Sequence, residues 1–570
     1  MKKWIILEKS ASGHKKDILG ILLENRNIFS EKEKKEFLHP ELSDLTLESV
    51  NLKAKELENA AKRIKLAIER KESVTVYTDY DADGVCGGAI VWETLYKLGV
   101  KTMPYVPHRV NEGYGLSRKG IDKIIEQFGT KLIVTVDHGV TAVKEVAYAK
   151  EKGIDTIILD HHILPKKLPD SVALIHTTSL ASGGLAYFFS NFLSKHLYFR
   201  KNDLSKSGQM DKSKLDLAAI ATVADLVPLL GANRVIVKYG IDEIKNTRRV
   251  GLRSLIKQSG LENGDVSTYE IGHILAPRIN AMGRLMHAMD ALRLLCTKDI
   301  DRAESLARKL SSTNRERQIL TEKASLLAMD IVRNERIYKS EKGNNLIFVS
   351  HSQFQEGIIG LVAGKLTETY YRPSIVVSEG KEYSKASARS VIGLNIVEVI
   401  REAGDLLEDA GGHAMAAGFT VATKNINTLK KRLNSVVEEK LSGIKLERTL
   451  KIDAILTLDE ITEDFYEKIN TLSPFGVGNP EPVFAVKNAE IVGLSLVGRE
   501  QKHIKMFMRQ NDGGIIHQAV GFGMGEFFNK LYPHKLVDIA FSINIDSWNG
   551  SKRLQLKLKD VIITSKSEID

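Results

Sequence analysis

Short apolar runs rich in β-branched residues alternate with amphipathic stretches over the first 230 residues of the chain. The apolar runs predict buried strands at residues 74–77, 131–136 and 156–159. The amphipathic stretches predict helices at residues 52–72, 87–98 and 142–152. Buried strands that alternate with helices are typical of a parallel sheet covered on both faces. We therefore predict an α/β domain with an N-terminal helical segment at residues 1–230.

The pattern changes along the rest of the chain. Residues 231–340 show almost continuous helical periodicity and predict a helical connector. Strand and helix signals then alternate again, which predicts a smaller α/β domain at residues 341–442. Alternating strands with few helices follow and predict a small β-barrel, an OB fold, at residues 443–570. The fold class is therefore a multidomain α/β protein with a C-terminal OB-fold barrel.

Composition narrows the class of protein. A chain of 570 residues is too long for one core, and its formal charge of +10 favours a polyanionic partner only modestly. Cys86 and Cys296 lie far apart and form no Cys-x-x-Cys pair, which indicates a reducing compartment. The apolar start ends at Leu7, too short for a signal peptide, and no run reaches the length of a membrane span. We predict a cytoplasmic protein without membrane association.

Acidic residues follow the predicted strands of the first domain, at the point where each strand ends. In parallel sheets ligands collect beyond these carboxyl ends, so the side chains are expected to converge. A solvated acidic turn is the plain alternative. A calcium loop is excluded, because its twelfth position would hold Ile90 or Trp92 instead of glutamate. The residues concerned are Asp79, Asp81, Asp83, Asp137, Asp160, His161 and His162.

Carboxylates combined with imidazole suit Mn²⁺ or Mg²⁺ better than metals that prefer thiolates. Two such ions can bridge a phosphate, activate a water and stabilise the leaving oxygen. The sequence therefore predicts a site for two ions, Mn²⁺ or Mg²⁺, that acts on a phosphodiester.

The same motifs resemble those of a known family. Asp160-His-His and Asp79-Tyr-Asp-Ala-Asp-Gly are similar to the signatures of the DHH phosphoesterase superfamily. Later segments resemble the RecJ family in particular, and they fall in the same order along nearly the whole chain. These segments are Thr222-Val-Ala-Asp-Leu-Val-Pro, Ala276-Pro-Arg-Ile-Asn-Ala-Met-Gly-Arg, Gly411-Gly-His-Ala-Met-Ala-Ala-Gly-Phe, Pro474-Phe-Gly-Val-Gly-Asn-Pro-Glu-Pro and Asp546-Ser-Trp-Asn-Gly.

The resemblance implies roles for the acidic residues and histidines. Asp137 would bridge the two ions, while Asp79 and Asp160 would be auxiliary groups that orient ligands. His162 would contact the scissile phosphate or protonate the leaving oxygen, and His138 is left out of the site. The implied metal ligands are Asp81, Asp83, Asp137, His161 and Asp225.

It also implies a path for nucleic acid. Arginines would hold a terminal 5′-phosphate, Tyr114 would stack on a base, and His413 would meet a phosphate. The implied phosphate and nucleic-acid contacts are Arg109, Tyr114, Arg278, Asn280, Arg284, Ser387, Arg389, Ser390, Gly412 and His413. Candidates for a single-strand groove on the barrel are Lys502, His503, Lys505, Trp548, Lys552 and Arg553, although a solvated charged face explains most of them equally well.

Some positions depart from the common RecJ pattern. Tyr77 stands where many relatives carry a metal-ligating histidine, and Gln355 replaces a histidine on the substrate side. His176 opens a segment that is commonly Asn-Pro, and alanines replace glycines on both sides of Ser387. None of these changes removes a carboxylate of the implied metal site.

The function implied by the resemblance is metal-dependent 5′-to-3′ exonucleolytic hydrolysis of single-stranded DNA, which releases nucleotides in repair and recombination. The expected partners are single-stranded DNA, single-strand-binding protein and a helicase, and the chain is expected to be a monomer. Two alternatives stay open. One is a phosphodiesterase for oligoribonucleotides or small nucleotides, and the other is an inactive DNA-binding scaffold related to RecJ.

Overall fold

The computed structural model describes residues 2–8, 17–109, 111–197, 211–262, 264, 266–335, 345–546 and 553–563. The helices and strands predicted in the first domain are present, with bounds that differ by a few residues, and the structure adds strands at Lys101–Tyr105 and Ala173–His176 and a helix at Arg118–Phe128. No helix within these ranges is both long enough and apolar enough to cross a membrane.

The N-terminal α/β domain is a parallel sheet with helices on both faces. Its strand order is β3-β2-β4-β5-β6, and β2, which pairs with strands on both sides, is buried along its whole length. Separate apolar clusters fill the two sides of the sheet, as the continuous apolar strands predicted. The elements up to this point are β1 (Lys3–Ile6), α1 (Ile18–Glu24), α2 (Glu31–Leu38), α3 (Ala54–Glu69), β2 (Ser73–Thr78), α4 (Ala82–Lys97), β3 (Lys101–Tyr105), α5 (Arg118–Phe128), β4 (Thr130–Val136), α6 (Val143–Glu151), β5 (Asp155–Asp160), β6 (Ala173–His176), α7 (Ser182–Leu197) and α8 (Leu215–Ala224).

A helical connector follows, and its helices extend the core of the first domain. The second half of its longest helix packs instead against the next domain, through Ala324, Ala328 and Val332. One helix therefore joins the two α/β parts. The connector consists of α9 (Gly231–Lys245), α10 (Val250–Gln258), α11 (Thr268–Glu270), a π-helical turn (Ile271–Leu275), α12 (Ala276–Leu285), α13 (Met289–Cys296) and α14 (Ile300–Asn334).

The second α/β domain contains a mixed sheet with strand order β10-β11-β9-β8-β7. Its edge strand β10 is exposed along most of its length and ends at His413. The elements are β7 (Ile347–His351), α15 (Ile359–Tyr370), β8 (Ser374–Ser378), β9 (Tyr383–Arg389), α16 (Ile396–Arg401), β10 (Leu407–His413), β11 (Ala416–Ala422) and α17 (Ile426–Lys440).

The C-terminal domain is the predicted barrel. Its strand order is β13-β14-β15-β16-β18-β17, and β14 also pairs with β17, which closes the sheet. Trp548-Asn-Gly, in the segment that resembles RecJ, lies outside the described residues. The elements are β12 (Thr449–Ile452), β13 (Ala454–Ile455), α18 (Glu463–Asn470), β14 (Phe484–Val497), β15 (His503–Arg509), β16 (His517–Gly521), β17 (Leu536–Asp546) and β18 (Arg553–Ile563).

The N-terminal segment differs from the sequence prediction in where it packs. We assigned it to the first α/β domain, but Leu22, Leu23 and Phe37 are buried in the core of the C-terminal barrel. Strand β1 also pairs with β12, at the beginning of the barrel domain. The apolar face of a short helix does not specify which distant core will bury it, so the sequence could not reveal this contact.

Candidate metal centre and phosphate cleft

The first acidic group occupies the junction between β2 and α4. Asp79 follows the strand, and Asp81 caps the helix by accepting a hydrogen bond from Gly84 N at 3.0 Å. Asp83 lies in the first helical turn, where its carboxylate accepts hydrogen bonds from two backbone amides at the start of α7, at 2.7 and 2.8 Å. Helix N-termini favour negative charge, so this junction can hold several carboxylates close together.

The neighbouring strands bring a second acidic group and the first histidine to the same edge. Asp137 follows β4 with φ +70, a backbone conformation that aspartate tolerates better than most residues, and accepts a hydrogen bond from Ser182 Oγ at 2.9 Å. His161 follows β5, and its Nε2 lies 3.3 Å from Asp137 Oδ1. Its Nδ1 lies 3.7 Å from Oδ2 of Asp225, which ends α8.

These side chains form overlapping groups in which the possible ligand atoms all lie within 4.8 Å of one another. The structure thus brings together all five predicted metal ligands, and Asp137 belongs to more than one group, as expected of a bridging ligand. It also adds Asp79, which we predicted to be auxiliary, and His162. The groups are Asp79 with Asp81 and Asp137, Asp83 with His161 and Asp225, and Asp137 with His161 and His162.

The electrostatics of the cluster fit a cation. Burial raises the pKa values of Asp79, Asp83 and Asp137, and neighbouring carboxylates raise them further. Burial and Asp81 raise the pKa of Asp225 to about 7. Carboxylates this close cannot all ionise without a compensating positive charge.

One carboxylate oxygen of this cluster is buried without a hydrogen bond in the part of the chain that the structure describes. Asp79 Oδ1 is buried and has no hydrogen-bond partner among the described residues. A buried acceptor without a partner costs free energy unless something else binds it. A hard divalent cation fits this oxygen and the surrounding carboxylate and imidazole donors.

Asp160 and His162 form a hydrogen-bonded pair beside the cluster. Asp160 Oδ1 lies 2.7 Å from His162 Nδ1, and its other oxygen accepts from Val140 N at 2.9 Å. Burial alone would raise the pKa of Asp160, but the bonds from His162 and Val140 lower it to about 2. Burial would lower the pKa of His162, yet Asp160 raises it above its ordinary value. The pair therefore holds a proton on His162, with the imidazole oriented by a fixed carboxylate.

Two side chains lie directly over this pair. Tyr114 donates its hydroxyl hydrogen to the Asp137 carbonyl at 3.1 Å, and the residue is 53% exposed. His413, from the second α/β domain, stacks on His162 with the ring centroids 6.2 Å apart. Gly412 has φ +143, and a Cβ there would lie 2.4 Å from the Ala416 carbonyl oxygen, so only glycine fits. The site therefore spans both α/β domains.

Arginines surround the same cleft. Arg109 lies over the Tyr80 ring at 5.1 Å, and Arg389 donates to Ser387 Oγ at 3.2 Å. Burial and the neighbouring arginines Arg109, Arg317 and Arg389 lower the pKa of Arg284 to about 10. Within the described ranges none of these four arginines forms an ion pair with a carboxylate. Cations gathered without acidic partners suit a phosphate-bearing ligand.

Comparison with known proteins places these features in a family. Models for the DHH family N-terminal domain, the DHHA1 domain and the RecJ OB domain match residues 73–222, 343–439 and 452–560. The single-stranded-DNA-specific exonuclease RecJ of Bacillus subtilis is 35% identical over 553 residues, which are 97% of this chain and 68% of that protein. The chain belongs to the RecJ family.

Another RecJ, the exonuclease of Thermus thermophilus, is 30% identical over 93% of this chain and 73% of its own length. Its crystal structure in complex with Mn²⁺ superposes with a TM-score of 0.81 and 26% identity, over 99% of this chain and 80% of that chain. A structure of exonuclease RecJ bound to manganese, 31% identical, has a TM-score of 0.58 over 69% of this chain and 98% of that chain.

Three of the phosphate contacts implied by the RecJ resemblance form hydrogen bonds within the protein. Ser390 is buried and its hydroxyl donates to the Leu394 carbonyl at 2.7 Å, so its phosphate contact stays a prediction. Asn280 Oδ1 accepts from Ala82 N at 2.7 Å and thereby supports the acidic junction, and its phosphate contact also stays a prediction. Arg278 donates to Ile274 O at 2.7 Å, and its phosphate contact stays a prediction.

Two of the departures from the RecJ pattern, at Tyr77 and His176, have structural explanations. Tyr77 packs against Tyr105 and His138, in the core away from the acidic cluster, so it offers no ligand. His176 Nε2 lies 2.7 Å from the His162 carbonyl oxygen and supports the loop that carries the two histidines. His138 is buried and its Nε2 contacts the Tyr77 carbonyl oxygen at 3.0 Å, consistent with its omission from the site.

Sequence reasoning missed Arg317. Its Nε is buried without a hydrogen-bond partner, and its charge lowers the pKa of Arg284. Nothing local distinguishes this residue from other charged residues of α14. Only the fold, which lays α14 along the cleft, reveals it.

Proposed function

We propose that the chain is a divalent-cation-dependent exonuclease that hydrolyses single-stranded DNA from the 5′ end and releases nucleotides. The observation that carries the proposal is the buried cluster of carboxylates and imidazole, which faces a cleft of unpaired arginines. The named relatives act on single-stranded DNA, and RecJ has been crystallised with Mn²⁺. A role in DNA repair and recombination follows from the family.

The proposed ion ligands are Asp81, Asp83, Asp137, His161 and Asp225, with Asp79 added by the structure. Two bound Mn²⁺ or Mg²⁺ ions would supply an activated water and stabilise charge that develops on the phosphate. The remaining roles, which are proton donation, phosphate binding and base contact, are assigned to side chains. His162, held by Asp160, donates a proton to the leaving oxygen, while His413 and the arginines hold the phosphates and Tyr114 offers a face to a base.

Strand-specific product analysis tests the reaction. With Mn²⁺, a 5′-labelled single strand should release labelled mononucleotide at once, while a 3′-labelled strand should shorten gradually. Parallel reactions compare Mn²⁺ with Mg²⁺. A faster turnover of a dinucleotide than of a long 5′-phosphorylated strand would favour the small-nucleotide phosphodiesterase, and binding without hydrolysis would favour the scaffold.

The first mutational prediction concerns the 5′-phosphate. Arg389→Ala should weaken the preference for a 5′-phosphorylated over a 5′-hydroxyl strand by about 10- to 100-fold, because a hydrogen bond to a charged group contributes about 1.5–3 kcal/mol. The measurement is kcat/KM on the two strands. Arg432→Ala is the control, since that arginine pairs with Asp405 on the surface. An unchanged preference would remove Arg389 from the phosphate pocket.

The barrel carries a second set of substrate contacts in this proposal. Lys557 lies 5.9 Å from the Phe522 ring and 5.7 Å from the ring of Tyr269, which belongs to the connector. His503 meets Phe522 edge-on at 5.3 Å, and Lys505 lies 5.3 Å from the Phe507 ring. Cations interleaved with exposed aromatic rings are typical of single-strand grooves.

The groove differs in detail from the one expected from the sequence. His503 and Lys505 lie within it, whereas Lys502 forms an ion pair with Glu500. Trp548 and Lys552 lie outside the described residues. Phe507, Phe522, Tyr269 and Lys557 were missed, because Phe507 lies in a strand where an aromatic residue usually signals a core and the other three belong to separate segments that only the fold brings together.

We expect Phe522→Ala to weaken binding of a long single strand by about 5- to 100-fold, since one base–aromatic contact contributes about 1–3 kcal/mol. Turnover of a very short strand should change little, because such a strand does not reach the barrel. Fluorescence anisotropy and kcat measure the two effects. Tyr96→Ala, at a similarly exposed ring on α4, is the control, and equal losses on both substrates would contradict this groove.

The expected protein partners and the oligomeric state are part of the proposal. Single-strand-binding protein and a helicase would supply the single strand, and a monomer suffices because one chain contains the whole site. We place the protein in the cytoplasm, where DNA is found and where Cys86 and Cys296, both free, stay reduced.

A further inference from the structure

Asp225 is held differently from the other proposed ligands. Hydrogen bonds from the start of α7 fix the carboxylates of Asp83 and Asp137. Asp225 follows the last residue of α8, and its carboxylate accepts no hydrogen bond from the described residues, with His161 Nδ1 at 3.7 Å as its polar neighbour. Its main chain is held on one side by α8, where Asp225 N donates to Ala221 O at 3.0 Å, and on the other side by the backbone that follows it.

That backbone is a strained turn, residues 225–229, which we call the Asp225 turn. Leu226 has φ +61 and its side chain is 68% exposed, so no burial of its own compensates the strain. A leucine in this conformation costs about 1–3 kcal/mol and persists only when the surroundings impose it. The contacts of the turn should therefore show what imposes it.

The far end of the turn is seated on a loop of the C-terminal domain, residues 474–480, which we call the docking loop. Leu229 N donates to the Val477 carbonyl at 2.7 Å, and the Leu229 side chain is buried. A Cβ on Gly476 would lie 2.6 Å from Leu229 Cδ1, and one on Gly478 would lie 3.0 Å from Pro228 Cβ. The glycines thus let the two segments approach more closely than any side chain would allow.

The docking loop is itself fixed. The Asn479 side chain is buried, donates to the carbonyls of Leu472 and Pro474 at 2.7 and 3.0 Å, and accepts from Arg26 Nε at 2.7 Å. A buried hydrogen-bonded network of this kind holds one conformation.

A buried arginine joins the same three parts of the chain. Arg234, in the first turn of α9, donates to the carbonyls of Phe37 and Ser473 at 2.7 and 2.8 Å. Its guanidinium lies 3.9 Å from the centre of the Phe37 ring. Arg234 therefore binds together the N-terminal segment, the start of the connector and the barrel domain. It lies close to Asp225 in the sequence.

We propose that the docking loop is a positioning element for Asp225, so that seating of the barrel domain sets the cation affinity of the position formed by Asp83, His161 and Asp225. The inference rests on the metal site of the proposed function. It adds that Asp225, a proposed ligand from the first α/β domain, is positioned by the barrel domain. The barrel then contributes to the metal centre as well as to DNA binding.

Gly476→Ala in the full chain tests the proposal, because the added methyl must displace Leu229. Titration with Mn²⁺, followed by electron paramagnetic resonance of the free ion, should show one class of sites weakened by about tenfold or more, within the range for a lost outer contact. The Mn²⁺ concentration for half-maximal hydrolysis should rise in parallel, with kcat at saturating Mn²⁺ nearly unchanged. Gly404→Ala is the control, since a Cβ there meets open space.

If the docking loop only stabilised the fold, Gly476→Ala would give a different result. It would lower the thermal midpoint and leave both Mn²⁺ affinities at the wild-type values, and that result would overturn the proposal. Asn479→Ala gives the same test if Gly476→Ala does not fold.

Hydrogen exchange on the wild-type protein needs no variant. Mn²⁺ should slow amide exchange in the docking loop together with the Asp225 turn, and an unchanged docking loop would overturn the proposal. A wild-type protein that binds no Mn²⁺ or leaves single-stranded DNA intact would instead refute the proposed function, which keeps the two failures distinguishable.

Discussion

Asp137→Ala is expected to abolish Mn²⁺-dependent degradation of single-stranded DNA while leaving single-strand binding nearly unchanged. Asp137 belongs to two of the three ligand groups, and its Oδ1 lies 3.3 Å from Nε2 of His161, which belongs to the third, so we expect its loss to affect both cation positions. Loss of a partner outside the ligand shell costs about 10- to 100-fold, and loss of a shared ligand should exceed that range. Single-turnover hydrolysis and fluorescence anisotropy on the same strand measure the two properties.

The thermal midpoint of a variant at this position distinguishes loss of a metal ligand from misfolding. Asp137→Asn removes the same negative charge and keeps a residue that tolerates φ +70, so relief of repulsion in the metal-free cluster should leave its thermal midpoint without metal level or higher. Addition of Mn²⁺ should then stabilise the variant less than the wild type. Asp170→Ala, at an exposed carboxylate that pairs with Lys150, is the control. Wild-type activity in Asp137→Ala would place the active site elsewhere.

His162→Asn is expected to lower kcat at saturating Mn²⁺ by about 100- to 10,000-fold, the usual contribution of a positioned general acid. The Asp160 carboxylate holds the His162 proton, and Nε2 lies 3.4 Å from the Tyr114 hydroxyl at the open side of the site. Asp160→Asn should lower kcat by about 10- to 100-fold, because it removes orientation and not the imidazole itself. Single-turnover rates at saturating Mn²⁺ give both values.

A substrate change tests the proton-donor role directly. A strand whose bridging leaving oxygen is replaced by sulfur needs little protonation of the leaving atom, so it should restore much of the rate of His162→Asn. The same strand should not rescue Asp137→Ala. His196→Asn, at a surface histidine that stacks on Phe192, is the control. Equal losses on the oxygen and sulfur substrates would assign His162 to phosphate binding instead.

The N-terminal α/β domain and the core of its site could be predicted from the sequence, because both depend on local patterns. Continuous apolar strands between helices require a parallel sheet, and parallel strands place their carboxyl ends at one edge. The residues that follow β2, β4 and β5 therefore had to converge, and Asp81, Asp83, Asp137 and His161 do so. The barrel could be predicted because alternating apolar positions in the C-terminal strands are also a local pattern.

Only the tertiary structure decided the contacts between segments that are distant in sequence. It placed Asp79 among the candidate ligands, bonded the buried Ser390 hydroxyl to the Leu394 carbonyl, and added Arg317 from the connector. It also packed the N-terminal helices on the barrel and seated Leu229 on the docking loop. Hydrophobic periodicity specifies which face of an element is buried but not which distant surface covers it, and side-chain direction within a loop depends on that covering surface.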